Sequence, residues 1–269
     1  MLGAIAGDIV GSVFEHHPIK HKVFPLFGEG CRFTDDTVLT LAVAQAILED
    51  GDYRRTVLGL GRRHPHAGYG GSFIRWLHAD HPRPYNSWGN GSAMRVSPVG
   101  FALDSEEEVL REAERSAVIT HNHPEGIKGA QATALAIFLA RTTHDRETIR
   151  REISGRFGYS LDRRLDEIRP GYRFDVSCQG SVPEAIIAFL ESTSWEDAVR
   201  NAVSLGGDAD TQACIAGGIA EAFYGPLSPE TEQIVLHSLT HDLRRVAERF
   251  LDTFPLLPGE RTGPDDAGA

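Results

Sequence analysis

The sequence predicts an all-α fold. Apolar residues recur at helical spacing along most of the chain, and no run of alternating β-branched residues marks a strand. Several apolar segments are also rich in Ala and Gly, which lets helix backbones approach closely.

The helices are justified in order. "TVLTLAVAQAILEDG" (37–51) sets Val38, Leu41, Ala42, Gln45 and Leu48 at helical spacing, with Gly51 as its stop. "DSEEEVLREAERSAVITH" (104–121) offers Ser105 and Glu108 as a capping box and puts Val109, Ala113 and Ala117 on one face. "GIKGAQATALAIFLART" (126–142) reads as a buried helix of small residues. "SVPEAIIAFLEST" (181–193) and "SWEDAVRNAVSLGG" (194–207) read as a helical pair. The second is expected to begin near Thr193, with Glu196 three residues on, and to stop at Gly206 and Gly207. "TQACIAGGIAEAFYG" (211–225) follows, and "ETEQIVLHSLTHDLRRVAERFLDTF" (230–254) reads as one long amphipathic helix. The charged stretch from about Arg150 to Asp175 reads as an irregular surface loop or lid. Residues 1–254 are expected to form a single domain, and the Pro/Gly-rich residues 255–269 a disordered tail.

At 269 residues and 41% hydrophobic, the chain can bury the core of one large domain. Its net charge of −11 provides no general field for nucleic acid or anionic membranes. An anionic substrate therefore needs local help from a metal, backbone N–H groups or a few basic side chains. Three scattered cysteines without a CxxC argue against a disulfide framework and suit a reducing cytoplasm. "MLGAIAGDIVGSVFE" imitates a signal peptide, but it lacks a basic start and Asp8 interrupts it. Nothing approaches the roughly 20 apolar residues of a membrane span. The expectation is a soluble, cytoplasmic monomer.

Two acidic clusters stand out: "FTDDTV" (33–38) and "GGDADT" (206–211). Acidic residues and threonine suit a first helical turn, where they cap N–H groups and meet the positive end of the dipole. Each cluster nevertheless has more carboxylate than a cap needs, and each precedes a helix that reads as deeply packed. Buried unpaired carboxylates are costly, and a hard cation would offset that cost. Asp35, Asp36, Asp208 and Asp210 together can hold two cations and leave positions open for substrate oxygens. The clusters lie 173 residues apart, so only the fold can join them.

Five motifs in order carry a resemblance: "GAIAGDIVGSVFE" (3–15), "FTDDTV" (33–38), "NSWGNGSAMR" (86–95), "THNHPEGIKGA" (120–130) and "LGGDADTQA" (205–213). Over about residues 1–225 the chain resembles the ADP-ribosylglycohydrolases, the family of the dinitrogenase-reductase-activating glycohydrolase and the ADP-ribosyl-acceptor hydrolases. That resemblance implies a single compact orthogonal helical bundle with a binuclear metal cleft holding two Mg²⁺, or Mn²⁺. It implies cleavage of the bond between the terminal ribose of ADP-ribose and an acceptor, which is a protein side chain, nucleic-acid base or small molecule. The implied metal ligands are Thr34, Asp35, Asp36, Asp208, Asp210 and Thr211. Glu15, ending the first helix, or a metal-bound aspartate (Asp35 or Asp210) would move the proton. Ser87, Trp88 and Asn90 would face the ADP-ribose, with Gly89 and Gly91 opening the loop to the diphosphate and His121 contacting the ligand. Met94 and Arg95 would pack behind that loop, and "GYGGSF" (68–73) would form another wall. Two other classes fit the clusters: a non-catalytic ADP-ribose-binding module, and a metal-dependent hydrolase of another kind, such as one for phosphate esters. A zinc site on His121 and His123 lacks a third ligand at suitable spacing. His16, His17 and His21 read as surface residues. Cys178 has no basic environment in sequence to make it a nucleophile.

Overall fold

The computed structural model describes residues 1–256, so most of the expected tail, 257–269, lies outside the described residues. The chain runs through α1 (Leu2–Gly11), α2 (Asp35–Leu48), α3 (Tyr53–Arg63), α4 (Gly71–Leu77), α5 (Gly91–Met94), α6 (Ser97–Ala102), α7 (Glu106–Ala117) and α8 (Pro124–Thr143). It continues through α9 (Arg146–Phe157), α10 (Leu165–Ile168), α11 (Cys178–Leu190), α12 (Trp195–Val203), α13 (Ala209–Tyr224), α14 (Pro229–Ser238) and α15 (His241–Thr253). Among the described residues there is no strand; the one extended pairing is an antiparallel bridge between Gly89 and Ser177. The protein is all-α.

The centre is built from helices that are buried on every side. α13 is buried from Ala209 to Ala222, and α8 is buried from Ala132 to Ala140. α1 crosses α13 antiparallel through three rungs of small residues: Gly3 on Gly217, Gly7 on Ala213 and Gly11 on Ala209. A Cβ on Gly11 would sit 2.5 Å from the Ala209 carbonyl oxygen and from Asp210 Cα. The crossing therefore excludes side chains, and it carries Asp8 to the start of α13. α2 enters the same region with its N-terminus inward, capped by Thr34.

Local signals placed most boundaries. Ser105 caps Glu108 N, and Ser194, not Thr193, caps α12 through Asp197 N. Gly206 adopts φ +64, where its missing side chain lets Ile19 and Lys20 pack beside it, and it turns the chain into Asp208. Two expectations fail. The long C-terminal helix is two helices: Leu239 is extended at ψ 146, and α15 starts afresh after Thr240, whose hydroxyl bonds Asp242 Oδ1 at 2.7 Å. The start of the expected Arg150–Asp175 loop is also helical, because Asp145 caps α9 and Gly158 ends it at φ +67. Only 158–177 is irregular, apart from the short α10. No helix among the described residues is long and apolar enough to cross a membrane.

Candidate metal centre and substrate cleft

Asp8 organises the first acidic cluster. It is fully buried on α1 and accepts from Thr34 N (2.9 Å), Thr34 Oγ1 (2.7 Å), Thr37 N (3.1 Å) and Thr37 Oγ1. Those four donors fix the first turn of α2. Because the Thr34 hydroxyl gives its only proton to Asp8, its lone pairs remain for the Asp36 amide (3.3 Å) and for a cation. Burial, then the Asp210 charge, push the Asp8 carboxyl up to about 7 against the pull of those donors.

The two clusters meet across the α2 and α13 N-termini. Thr211 Oγ1 lies 3.5 Å from Asp36 Oδ2, and Asn90 Nδ2 donates to Asp208 Oδ2 at 2.7 Å. Carboxylate oxygens of Glu15, Asp208 and Asp210 lie within 4.8 Å of one another. Asp36 is 2% exposed, and its Oδ1 has no hydrogen-bond partner. Burial comes first, followed by the Asp210 charge, in raising Asp35, Asp36 and Asp208 well above the ordinary carboxylate range. None of the four cluster aspartates meets a basic side chain in an ion pair among the described residues. An orphaned buried oxygen inside a set of mutually repelling carboxylates fits a hard cation, which is bound by just such oxygen donors.

Glu15 is not at the end of a helix. α1 stops at Gly11, and the chain turns so that Glu15 reaches the cluster from the adjoining loop, its side chain 29% exposed. Burial and then Asp210 raise its carboxyl pKa, while His16 and Arg32 oppose the shift. His16, His17 and His21 are exposed, and His16 Nε2 lies 3.7 Å from Glu15.

A cavity of about 350 Å³ extends from these carboxylates. Its walls include Ser87, Gly89, Asn90, Gly91 and His121, the Gly68–Phe73 stretch and, unforeseen from sequence, Tyr85, Phe174 and Val176. Trp88 corrects the sequence reading: it does not line the cavity and is 48% exposed. The loop is held there by its backbone, with Gly89 bridging Ser177 and Cys178 N donating to Trp88 O at 3.0 Å. Phe174 and Val176 reach the wall because this pairing draws 174–177 against the loop, with Asn90 N donating to Val176 O at 2.7 Å.

Arg95 is fully buried behind the loop, where Nη2 donates to Ser116 O (2.8 Å) and Thr120 Oγ1 (2.9 Å). Thr120 Oγ1 lies 2.7 Å from His121 Nδ1. His123 caps α8 through its ring instead of pairing with His121 on a metal. Cys178 is buried, and burial pushes its thiol up to about 12, so it is not a thiolate nucleophile. Asp8 is the member of the acidic cluster that the sequence reading did not single out. The available signal was a lone acidic residue in an otherwise apolar helix.

Comparisons with known proteins fit this geometry. A sequence profile of the family described as ADP-ribosylglycohydrolase matches residues 1–257. The chain is 28% identical to ADP-ribosylhydrolase ARH3 of Mus musculus, over 84% of this chain and 82% of that protein. It is 26% identical to ADP-ribosylarginine hydrolase Tri1 of Pseudomonas putida (strain GB-1), over 95% of this chain and 77% of that protein. A solved structure described as an ADP-ribosylglycohydrolase-related protein complex shares the fold, with a TM-score of 0.67 at 24% identity, covering 94% of this chain and 96% of that one.

Proposed function

This chain belongs to the ADP-ribosylglycohydrolase family of hydrolases, and from that premise we propose that it is a Mg²⁺-dependent enzyme releasing ADP-ribose from an ADP-ribosylated acceptor. The observation that carries the metal dependence is the unpartnered Asp36 Oδ1 among buried carboxylates that no basic side chain neutralises. Thr34, Asp35, Asp36, Asp208, Asp210 and Thr211 would hold two Mg²⁺, with Mn²⁺ an acceptable substitute. When bound, the cations supply positive charge that orders ribose hydroxyls and activates water.

The chain's own residues do the rest. Asp8 holds the Thr34 proton away from the cation position, so the hydroxyl presents a lone pair. Asn90 steadies Asp208 while its backbone anchors the loop to Val176. Glu15, half-buried and with its carboxyl pKa raised by burial, is placed to pass a proton to the departing acceptor atom or to take one from water. Asp35 and Asp210 are the other candidates for that transfer. Ser87, Gly89, Gly91 and His121 line the part of the cleft assigned to the ADP-ribose, and the glycines let backbone N–H groups come close to its diphosphate.

The test is ADP-ribose release from a panel of linkages (arginine, serine, acetyl and modified nucleic-acid bases), with Mg²⁺ and with EDTA. Release from one linkage, lost in EDTA and restored by Mg²⁺, supports the proposal and identifies the acceptor. ADP-ribose binding without release from any linkage would replace it with a non-catalytic binding module.

A further inference from the structure

Among the described residues Arg95 is the one buried arginine or lysine, and no carboxylate partners it. Its Nη2 reaches only neutral oxygens, and its Nε and Nη1 have no hydrogen-bond partner at all. A buried guanidinium without a counter-charge is costly to maintain, and a protein of net charge −11 has carboxylates to spare. Yet all the buried carboxylates of the cleft sit with the α2 and α13 N-termini, and none of them pairs with Arg95. The cleft thus carries carboxylates where cations would bind and one buried positive charge, Arg95, behind the wall that Gly89, Gly91 and His121 help to form.

The hydrogen bonds also fix what His121 presents. Arg95 can only donate, so Thr120 Oγ1 accepts from it at 2.9 Å. The Thr120 hydroxyl has a single proton, and the nitrogen 2.7 Å away, His121 Nδ1, is the acceptor that satisfies it. His121 is then the neutral Nε2–H tautomer. Its Nε2 faces the loop, 3.1 Å from where a Cβ on Gly91 would stand. Burial, and then the Arg95 charge, hold its pKa well below the ordinary histidine value, in keeping with a neutral ring.

We infer that Arg95 is a positioning residue whose missing counter-charge is the substrate's diphosphate: it draws that dianion to the loop by its field and, through Thr120, locks His121 as an Nε2–H donor toward it. The inference rests on the proposed ADP-ribosyl substrate. It concerns how this chain holds the ADP-ribosyl group, not which acceptor it takes.

The test is calorimetric binding of ADP-ribose, ADP and adenosine to wild type, Arg95→Met, Arg95→Lys and Thr120→Val, with Mn²⁺ binding measured in parallel. Arg95→Met should weaken ADP-ribose and ADP by about tenfold or more and leave adenosine and Mn²⁺ unchanged. Arg95→Lys keeps the charge and should recover most of the loss. If Lys is as weak as Met, or adenosine weakens equally, the charge is not the agent and the inference fails. Should Arg95→Met not fold, Thr120→Val decides: it should weaken both diphosphates severalfold and spare adenosine. Histidine ¹⁵N spectra of the wild-type protein should show His121 as the Nε2–H tautomer; the Nδ1–H form would break the relay. Wild type that binds neither ADP-ribose nor ADP would overturn the proposed function itself. Wild-type binding left intact in Arg95→Met overturns only this inference.

Discussion

Gly11→Ala tests how the fold sets the site. Gly11 is the last residue of α1 and needs no positive φ, so alanine is conformationally allowed there. The added methyl would stand 2.5 Å from Ala209 O and Asp210 Cα and 2.6 Å from Asp210 N. That is roughly 0.9 Å inside ordinary carbon contact, and every opposing atom is backbone, so no side chain can swing away. Overpacking of this kind costs about 1–3 kcal/mol, and the upper end applies where neighbours cannot yield. Alanine's helix propensity returns up to ~1 kcal/mol. The net expectation is destabilisation by about 2 kcal/mol, or roughly 4–8 °C in Tm for a chain of this size. Relief must move α1 and the start of α13 apart, which displaces Asp208 and Asp210, so Mn²⁺ affinity should fall as well. Urea denaturation and calorimetric Mn²⁺ titration measure both. Gly155→Ala is the control: nothing lies within 4 Å of its Cβ position in α9, and it should gain ~0.5–1 kcal/mol. A Gly11→Ala protein as stable as wild type, with unchanged Mn²⁺ affinity, would refute the close crossing.

Further expectations concern the site. Asp36→Asn or Asp210→Asn should abolish metal-dependent release while leaving the helical circular dichroism nearly intact; full activity in either removes the metal-site proposal. Glu15→Gln should lower turnover far more than ADP-ribose affinity, and wild-type turnover would dismiss Glu15 as the proton carrier. The metal-free protein should lose stability as pH rises. The Asp8 carboxyl moves from 3.8 to about 7 on folding, so its favourable term is complete below pH 3.8 and lost through pH 7. That is about 4 kcal/mol for this group alone, with Asp35, Asp36 and Asp208 acting in the same direction. Urea unfolding in EDTA at pH 5 and pH 8 checks the sign. Mg²⁺ should stabilise more at pH 8, and equal stability in EDTA at both values would show that the carboxylates are compensated in some other way.

Much of the helical skeleton was legible because its signals are local. Ser105 caps three residues on, Gly51 takes φ +73, and the small-residue segments become the buried α8 and α13. The C-terminal helices were misread for a local reason too. An unbroken apolar period outweighed the Thr240–Asp242 cap that restarts the chain. The Arg150–Asp175 stretch was read from its charge alone, which overlooked the Asp145 cap and the Gly158 stop of α9.

The sequence by itself determined which residue types were available: two aspartate–threonine clusters, a glycine-rich loop, and helices small enough on one face to pack closely. Only the tertiary structure decided which of them meet and which way they face. Asp8 became the clamp on Thr34 and Thr37 because α1 is pressed against α13 and across α2, a contact spanning 26 residues of chain for Thr34. Thr211 met Asp36 across 175 residues. Trp88 stayed outside the cavity wall, and Phe174 and Val176 joined it, because the loop paired with the 176–178 segment. Arg95 was left without a counter-charge because the buried acids gathered at the α2 and α13 N-termini and none of them reaches it. Caps and periodicity act over a few residues along the chain. Facing, burial and charge pairing depend on which surfaces close on one another, and that is a property of the packed whole.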